Sequence, residues 1–195
     1  MSIILSFLLA QVSVVDVARS ETKGYQISDG SLVFESLDFE VTIRPLAPDE
    51  FRAWLIARGV EDEFLKRPQI SELMAAMAPF EVRVRNLGDQ DMHFNCDRAM
   101  LWSGIRPKAR LVQPTDLMSG AQPIPEPGEE LLAQAVARYS IVVKPRQTER
   151  QLAVFLPEFG KRKFSRGQLE FVLDEIYYGI DAHVIRGFFT LRHGR

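Results

Sequence analysis

Apolar and polar side chains alternate with a period of two in several short stretches of this 195-residue chain, and those stretches set the first expectation. Leu37, Phe39, Val41 and Ile43 fall on one side of 37–43 while Asp38, Glu40 and Thr42 fall on the other, as in a strand buried on one face. The period returns at Phe80, Val82 and Val84, set against Glu81, Arg83 and Arg85, with Asn86-Leu87-Gly88-Asp89 as the following turn. Met92, Phe94 and Cys96, alternating with His93, Asn95 and Asp97, predict a neighbouring strand. Short β-rich runs follow at 141–143, 152–156, 169–173 and 184–191, separated by Pro, Gly and charged clusters. Seven or eight such strands predict a mainly β fold, an antiparallel sandwich, because a sheet with one wet face alternates and a doubly buried parallel sheet does not.

The period changes to that of a helix in two places. Pro48-Asp49-Glu50 opens a segment in which Phe51, Trp54, Leu55 and Arg58 share a face, and Gly59 stands where a helix stops, predicting a helix over 48–58. A second is predicted over 71–78, with Leu73, Met74 and Met77 on one side and Pro79 ending it. Both lie between strands, so the insertion at 48–78 is expected to cover an end or edge of the sandwich. Pro114, Pro123, Pro125, Pro127, Gly120 and Gly128 predict an extended loop over 113–128, followed by a third helix over 129–138 with acids at its positive end.

The amino-terminal run at 3–10, Ile-Ile-Leu-Ser-Phe-Leu-Leu-Ala, turns polar at Arg19-Ser20-Glu21. It has the shape of an export leader with Ala10 or Ala18 at the cleavage point, although no Lys or Arg precedes it. The other reading of 1–20 is a first strand, carried by Val12, Val14 and Val17. Either way the run is short of the roughly 20 residues that span a bilayer as a helix, so no integral membrane span is expected.

The stretch Pro79-Phe-Glu-Val-Arg-Val-Arg-Asn-Leu-Gly88, a Met-x-Phe strand, a Pro-rich loop, then Val143-Lys-Pro-Arg-Gln-Thr148 leading into Leu152-Ala-Val-Phe-Leu-Pro157, resembles the immunoglobulin-like, telokin-like domains of exported bacterial proteins. The resemblance covers about 80–192 and implies a single immunoglobulin-like β-sandwich over 25–192. It carries over no functional residue. With Cys96 as the only cysteine, the inter-sheet bridge of an antibody-type domain and any cysteine zinc cluster are excluded.

Charge narrows the partners. Lys plus Arg number 24 against 26 Asp plus Glu, so a net charge of −2 gives no reason to seek nucleic acid. Lys161-Arg162-Lys163 with Arg166 is a basic cluster that a solvated loop explains, Phe164 being its sole interleaved aromatic. His93 and His183 alternate with apolar neighbours on strand-like runs, as side chains of a solvated face do, and His193 falls in the tail. Asp89, Asp91, Asn95 and Asp97 could offer oxygen to calcium, but no EF-hand Gly and closing Glu complete them and a polar hairpin accounts for them. Cys96 sits on the apolar side of its run, where a buried thiol is inert. Trp54 and Trp102 are expected in the core. Of Tyr177 and Tyr178, ahead of Gly179, one is expected to face out.

No motif fixes a reaction, and no catalytic residue, metal or cofactor is expected. The reading is a non-catalytic sandwich module, periplasmic or secreted, that binds a protein or another envelope partner, with a cytoplasmic location as the alternative. Pro123, Pro125, Pro127, Tyr177 and Tyr178, together with the 48–78 insertion, mark its expected working surface. A hydrolase of envelope polymers, with carboxylates converging only in space, is the rival, and a surface subunit completed by strand exchange is a third version.

Overall fold

Strand β4 (Phe39–Pro45) and strand β5 (Ala78–Asn86) realise the two clearest alternations. They pair antiparallel, with Val41 opposite Val84 and Ile43 opposite Val82, so the apolar alternates of both strands share one buried face. Leu37 departs from the expectation. The Ser36 hydroxyl accepts from the Asp38 and Phe39 amides, which makes 36–38 a tight turn and leaves Leu37 96% exposed.

The computed structural model describes residues 12–19, 25–103, 106–113, 116–117, 127–136, 140–157 and 167–193. Its remaining strands are β1 (Val12–Arg19), β2 (Tyr25–Ser28), β3 (Ser31–Glu35), β6 (Met92–Phe94), β7 (Met100–Ser103), β8 (Arg106–Leu111), β9 (Ile141–Val143), β10 (Thr148–Pro157), β11 (Gly167–Tyr178) and β12 (Asp181–His193). The fold is mainly β, and each pairing among the described residues is antiparallel. One layer runs β2-β3-β4-β5-β10; the other runs β1-β12-β11 and continues into β6 and β7, which lie along one edge of β11. Strand β8, bonded to both β7 and β10, joins the layers at their side.

The layers meet face to face. Phe80 and Phe155 from the first pack on Phe171 and Phe189 from the second, with ring centroids 5.1 to 6.3 Å apart in edge-on or tilted pairs. A Cβ on Gly187 of β12 would collide with the Leu32 side chain of β3, so glycine here lets the layers close. Cys96 is buried as expected but not on a strand. The Asn95 side chain accepts from the Asp97 amide and starts a short 3-10 turn, Cys96–Arg98, between β6 and β7.

Four α-helices occur among the described residues: α1 (Pro48–Ile56), α2 (Asp62–Leu65), α3 (Pro68–Ala75) and α4 (Pro127–Val136). α3 starts earlier than its pattern predicted because Pro68 opens its first turn, and it stops earlier because Ala78 and Pro79 already belong to β5. The helices do not cap an end or edge. They lie over the outer face of β10, where Leu152, Val154 and Leu156 form a second core with Phe51, Leu55 and Leu132. The cause is in the sequence: β10 is apolar on both faces along 152–156, since Ala153 and Phe155 point into the inter-layer core.

Candidate functional site

Where the helical cover ends, the outer face of the first layer is open and strongly charged. Register builds it in rows. Glu40 lies opposite Arg85 and Arg44 opposite Glu81, so the rows at either side are charge-complementary. Between them Thr42 lies opposite Arg83, and Arg83 lies directly opposite Arg150. Two guanidiniums in facing register positions repel, in contrast to their neighbours. Arg44, Arg83, Arg150, Glu81, Ser31 and Thr42 together line a basin of about 240 Å³.

The donors of this basin are unequally occupied. Arg44 is held by Glu50 at the start of α1 and by Glu81 at 3.2 Å. Burial works against its charge, and the bonds to the two carboxylates outweigh that and hold its pKa above the ordinary value. Arg83 gives Nη2 to Glu40 and to the Thr42 hydroxyl, both at 3.1 Å. Arg150 reaches Glu81 only at 3.6 Å, an ion pair without a hydrogen bond. Among the described residues the Ser31 hydroxyl, the Nε and Nη1 groups of Arg83 and the whole Arg150 guanidinium have no hydrogen-bond partner.

A second, more apolar cleft of about 110 Å³ opens under the helices, between Leu46, Pro48, Phe51, Met74 and Met77. Its rim carries Arg52, bonded to Asp62 at 2.6 Å. Lys66 first, then Arg52, holds the Asp62 carboxyl below its ordinary pKa, and Asp62 with Glu63 raises that of Lys66. These are exposed pairs: Arg52–Asp62 links α1 to α2, and the two Lys66 pairs lie within α2 and its C-terminal cap.

The residues singled out from sequence scatter. Pro123 and Pro125 lie outside the described residues, as do Lys161, Arg162, Lys163 and Arg166, while Pro127 is exposed in the first turn of α4. Tyr177 is 40% exposed; Tyr178 is buried, and its hydroxyl accepts from the Asp89 amide at 3.0 Å and donates to the Asp89 carboxylate at 3.2 Å. Tyr178 therefore ties the β11 end to the turn after β5 and offers no contact surface. His93 is exposed between Val142 and Tyr177 in register, whereas His183 is half-buried with Phe39 edge-on to it at 4.8 Å. Asp91 pairs with Lys144 at 2.7 Å. Trp54 packs beside the helical core with the Arg58 guanidinium over its ring, and Trp102 is half-buried.

Sequence reasoning placed Arg83 and Arg85 on a wet face but missed the basin. The available signal was Thr148-Glu149-Arg150, a polar run leading into the doubly apolar 152–156. No helix among the described residues is long and apolar enough to cross a membrane. Comparison with known protein families, with curated proteins and with solved structures finds no match.

Proposed function

We propose that this chain is a non-catalytic β-sandwich binding module of the bacterial envelope, with the immunoglobulin-like, telokin-like class as its finer fold assignment. The observation that carries the binding reading is the Arg83/Arg150 pair above the basin. A solvated sheet face gains by alternating opposite charges across strands, as the flanking rows do, and like charges in register are kept at a cost that a ligand can offset. The groups stand on four hydrogen-bonded strands rather than on loops, which suits recognition by a preformed surface. The Lys144-Pro145-Arg146-Gln147 turn before the β10 strand supports the finer fold reading. The hydrolase alternative needs two carboxylates about 5 to 9.5 Å apart across a cleft. The basin offers Glu81 in its lining and Glu40 and Glu50 on its rim, each engaged by an arginine, and the helical cleft offers Asp49.

The test combines location with retention. Cell fractionation and amino-terminal sequencing of the native protein are expected to place it in the envelope or medium. Immobilised protein is expected to retain isolated envelope material, and the Arg83→Gln/Arg150→Gln variant to lose it. Recovery only from the cytoplasm, or equal retention by the variant, overturns the reading.

A further inference from the structure

We infer that the basin on the outer face of β3-β4-β5-β10 is a phosphoryl-binding site, in which Arg83, Arg150 and Ser31 donate to the oxygens of a phosphate monoester or diester. The inference deepens the binding reading above and rests on it for the choice of face.

Three features select the chemistry. The first is charge. The lining carries Arg44, Arg83 and Arg150 against Glu81, an excess of two positive charges, while Glu40 and Glu50 balance Arg83 and Arg44 from the rim. Arg150, 3.6 Å from Glu81 and not hydrogen-bonded to it, is the least firmly held of the three, and Arg85 lies on the same face between Glu40 and Thr148 in register. A phosphate monoester brings about −1.5 to −2 charges at pH 7 and three acceptor oxygens. The second is geometry. One planar carboxylate is served by the fork of a single guanidinium. Here the donors come from separate strands, β3, β5 and β10, and converge on one basin, an arrangement that uses the several oxygens of a tetrahedral group. The third is availability. Arg83 keeps two nitrogens and Arg150 its whole guanidinium without a hydrogen-bond acceptor among the described residues, while both stand in register where they repel. An anion between them removes the repulsion and fills both forks.

Glu81 is the internal competitor. Its carboxylate already holds Arg44 and stands 3.6 Å from Arg150, so it reduces the field available to a ligand. Binding is accordingly weak, with a Kd for inorganic phosphate on the order of 1 mM.

The experiment is calorimetric titration of the full chain with inorganic phosphate and with glycerol 3-phosphate, at constant ionic strength, with acetate as the carboxylate control. Binding of both phosphates and weaker binding of acetate are expected. Arg150→Gln and Arg83→Gln each weaken phosphate binding about tenfold or more. Glu81→Gln strengthens it severalfold, a gain that misfolding does not produce. Thermal melting without ligand is expected to show Arg150→Gln at least as stable as wild type, since it removes a like-charge pair. Sedimentation with phosphatidic acid vesicles but not with phosphatidylcholine assigns the phosphate to a lipid headgroup; sedimentation with neither, alongside glycerol 3-phosphate binding, assigns it to a soluble or polymer-borne ester. No heat from 20-fold the expected Kd of phosphate, equal binding by folded Arg83→Gln and Arg150→Gln, or acetate binding as tightly as phosphate overturns the inference. If envelope retention still depends on Arg83 and Arg150 in that event, the binding reading stands and only the phosphoryl assignment falls.

Discussion

Asn86 is the polar residue on which one end of the sandwich depends most. It ends β5 with no exposed surface, and its amide reaches three backbone groups. Nδ2 donates to the Gln90 carbonyl at 2.7 Å and to the Val143 carbonyl at 2.9 Å, while Oδ1 accepts from the Gly88 amide at 3.1 Å. It thereby closes the turn after β5 on itself and fastens it to β9 in the other layer. Asn86→Ala removes all three bonds. The Val143 bond lies wholly in the interior, so its carbonyl loses a partner that water does not replace; the other two lie nearer the surface and are partly recovered by solvent. At about 1 to 3 kcal/mol for the buried group and roughly 0.5 to 1.5 for each of the others, the expected loss is about 3 kcal/mol. That is a large share of the ~5 to 15 kcal/mol that holds a domain folded. Equilibrium urea unfolding followed by tryptophan fluorescence measures it through the midpoint at unchanged slope. Asn86→Asp, which keeps shape and the acceptor but loses both donors, is expected to be at least as damaging. A loss below about 1 kcal/mol for Asn86→Ala, or an Asp variant as stable as wild type, refutes the assignment of Asn86 as a structural tie.

Tyr178→Phe keeps the ring against Phe39 but deletes the hydroxyl that holds the Asp89 and Gln90 amides, so unfolding is expected to show a loss of about 1 to 2 kcal/mol without change in the core. Gly187→Ala drives a Cβ into the buried Leu32 side chain and is expected to cost about 1 to 3 kcal/mol, and Leu32→Val in the same chain to recover part of it; additive losses in a double-mutant cycle would contradict the close approach of the layers. Glu50 accepts from the Ala47 amide and then from Arg44, which lowers its folded pKa. Its stabilisation of α1 is therefore complete above its ordinary pKa of 4.5 and is lost as pH falls through the lowered value. The wild-type advantage over Glu50→Gln, no more than about 0.5 kcal/mol for so exposed a group, is expected to be constant near neutrality and to vanish in acid melts; an advantage that grows in acid contradicts the sign.

Period-two alternation was legible where one strand face is wet over several residues, as in β4 and β5, whereas the long β11 and β12 showed only as the shorter β-rich runs 169–173 and 184–191. It failed where pairing rather than patterning makes the strand. β2 and β3 are short, and β7 and β8 are brief connectors whose alternation is lost among Pro107 and charged neighbours. The β2–β3 hairpin did carry a signal, Asp29-Gly30, whose φ values of 48 and 72 fit a two-residue hairpin turn. Met92, Phe94 and Cys96 alternate as a strand would, but Asn95 prefers to cap a turn and competes with the ladder after Phe94. The candidate site was half legible. Sequence put Arg83 on a wet face, yet the partner that makes it unusual, Arg150, is a register neighbour from a distant strand, and register is not written in either segment alone.

The position of the basin follows from how β10 divides its outer face. Leu152, Val154 and Leu156 lie under the helices, whereas Thr148 and Arg150 lie beyond them in water. The boundary falls between Arg150 and Leu152, and Glu81, the register partner of Leu152, stands on it with only 12% of its side chain exposed. Arg44 bridges the same boundary, bonded to Glu50 of α1 on one side and Glu81 of β5 on the other. The helical insertion therefore does two things at once: it dries the apolar half of β10, and its first turn supplies the carboxylate that fixes one guanidinium of the basin. Arg150 is left where the strand passes from dry to wet, close enough to Glu81 to feel it and too far to bond it. Loosening α1 should thus be felt in the basin through Arg44 before it is felt in the inter-layer core, because Phe80 and Phe155 of that core lie on the opposite face of β5 and β10.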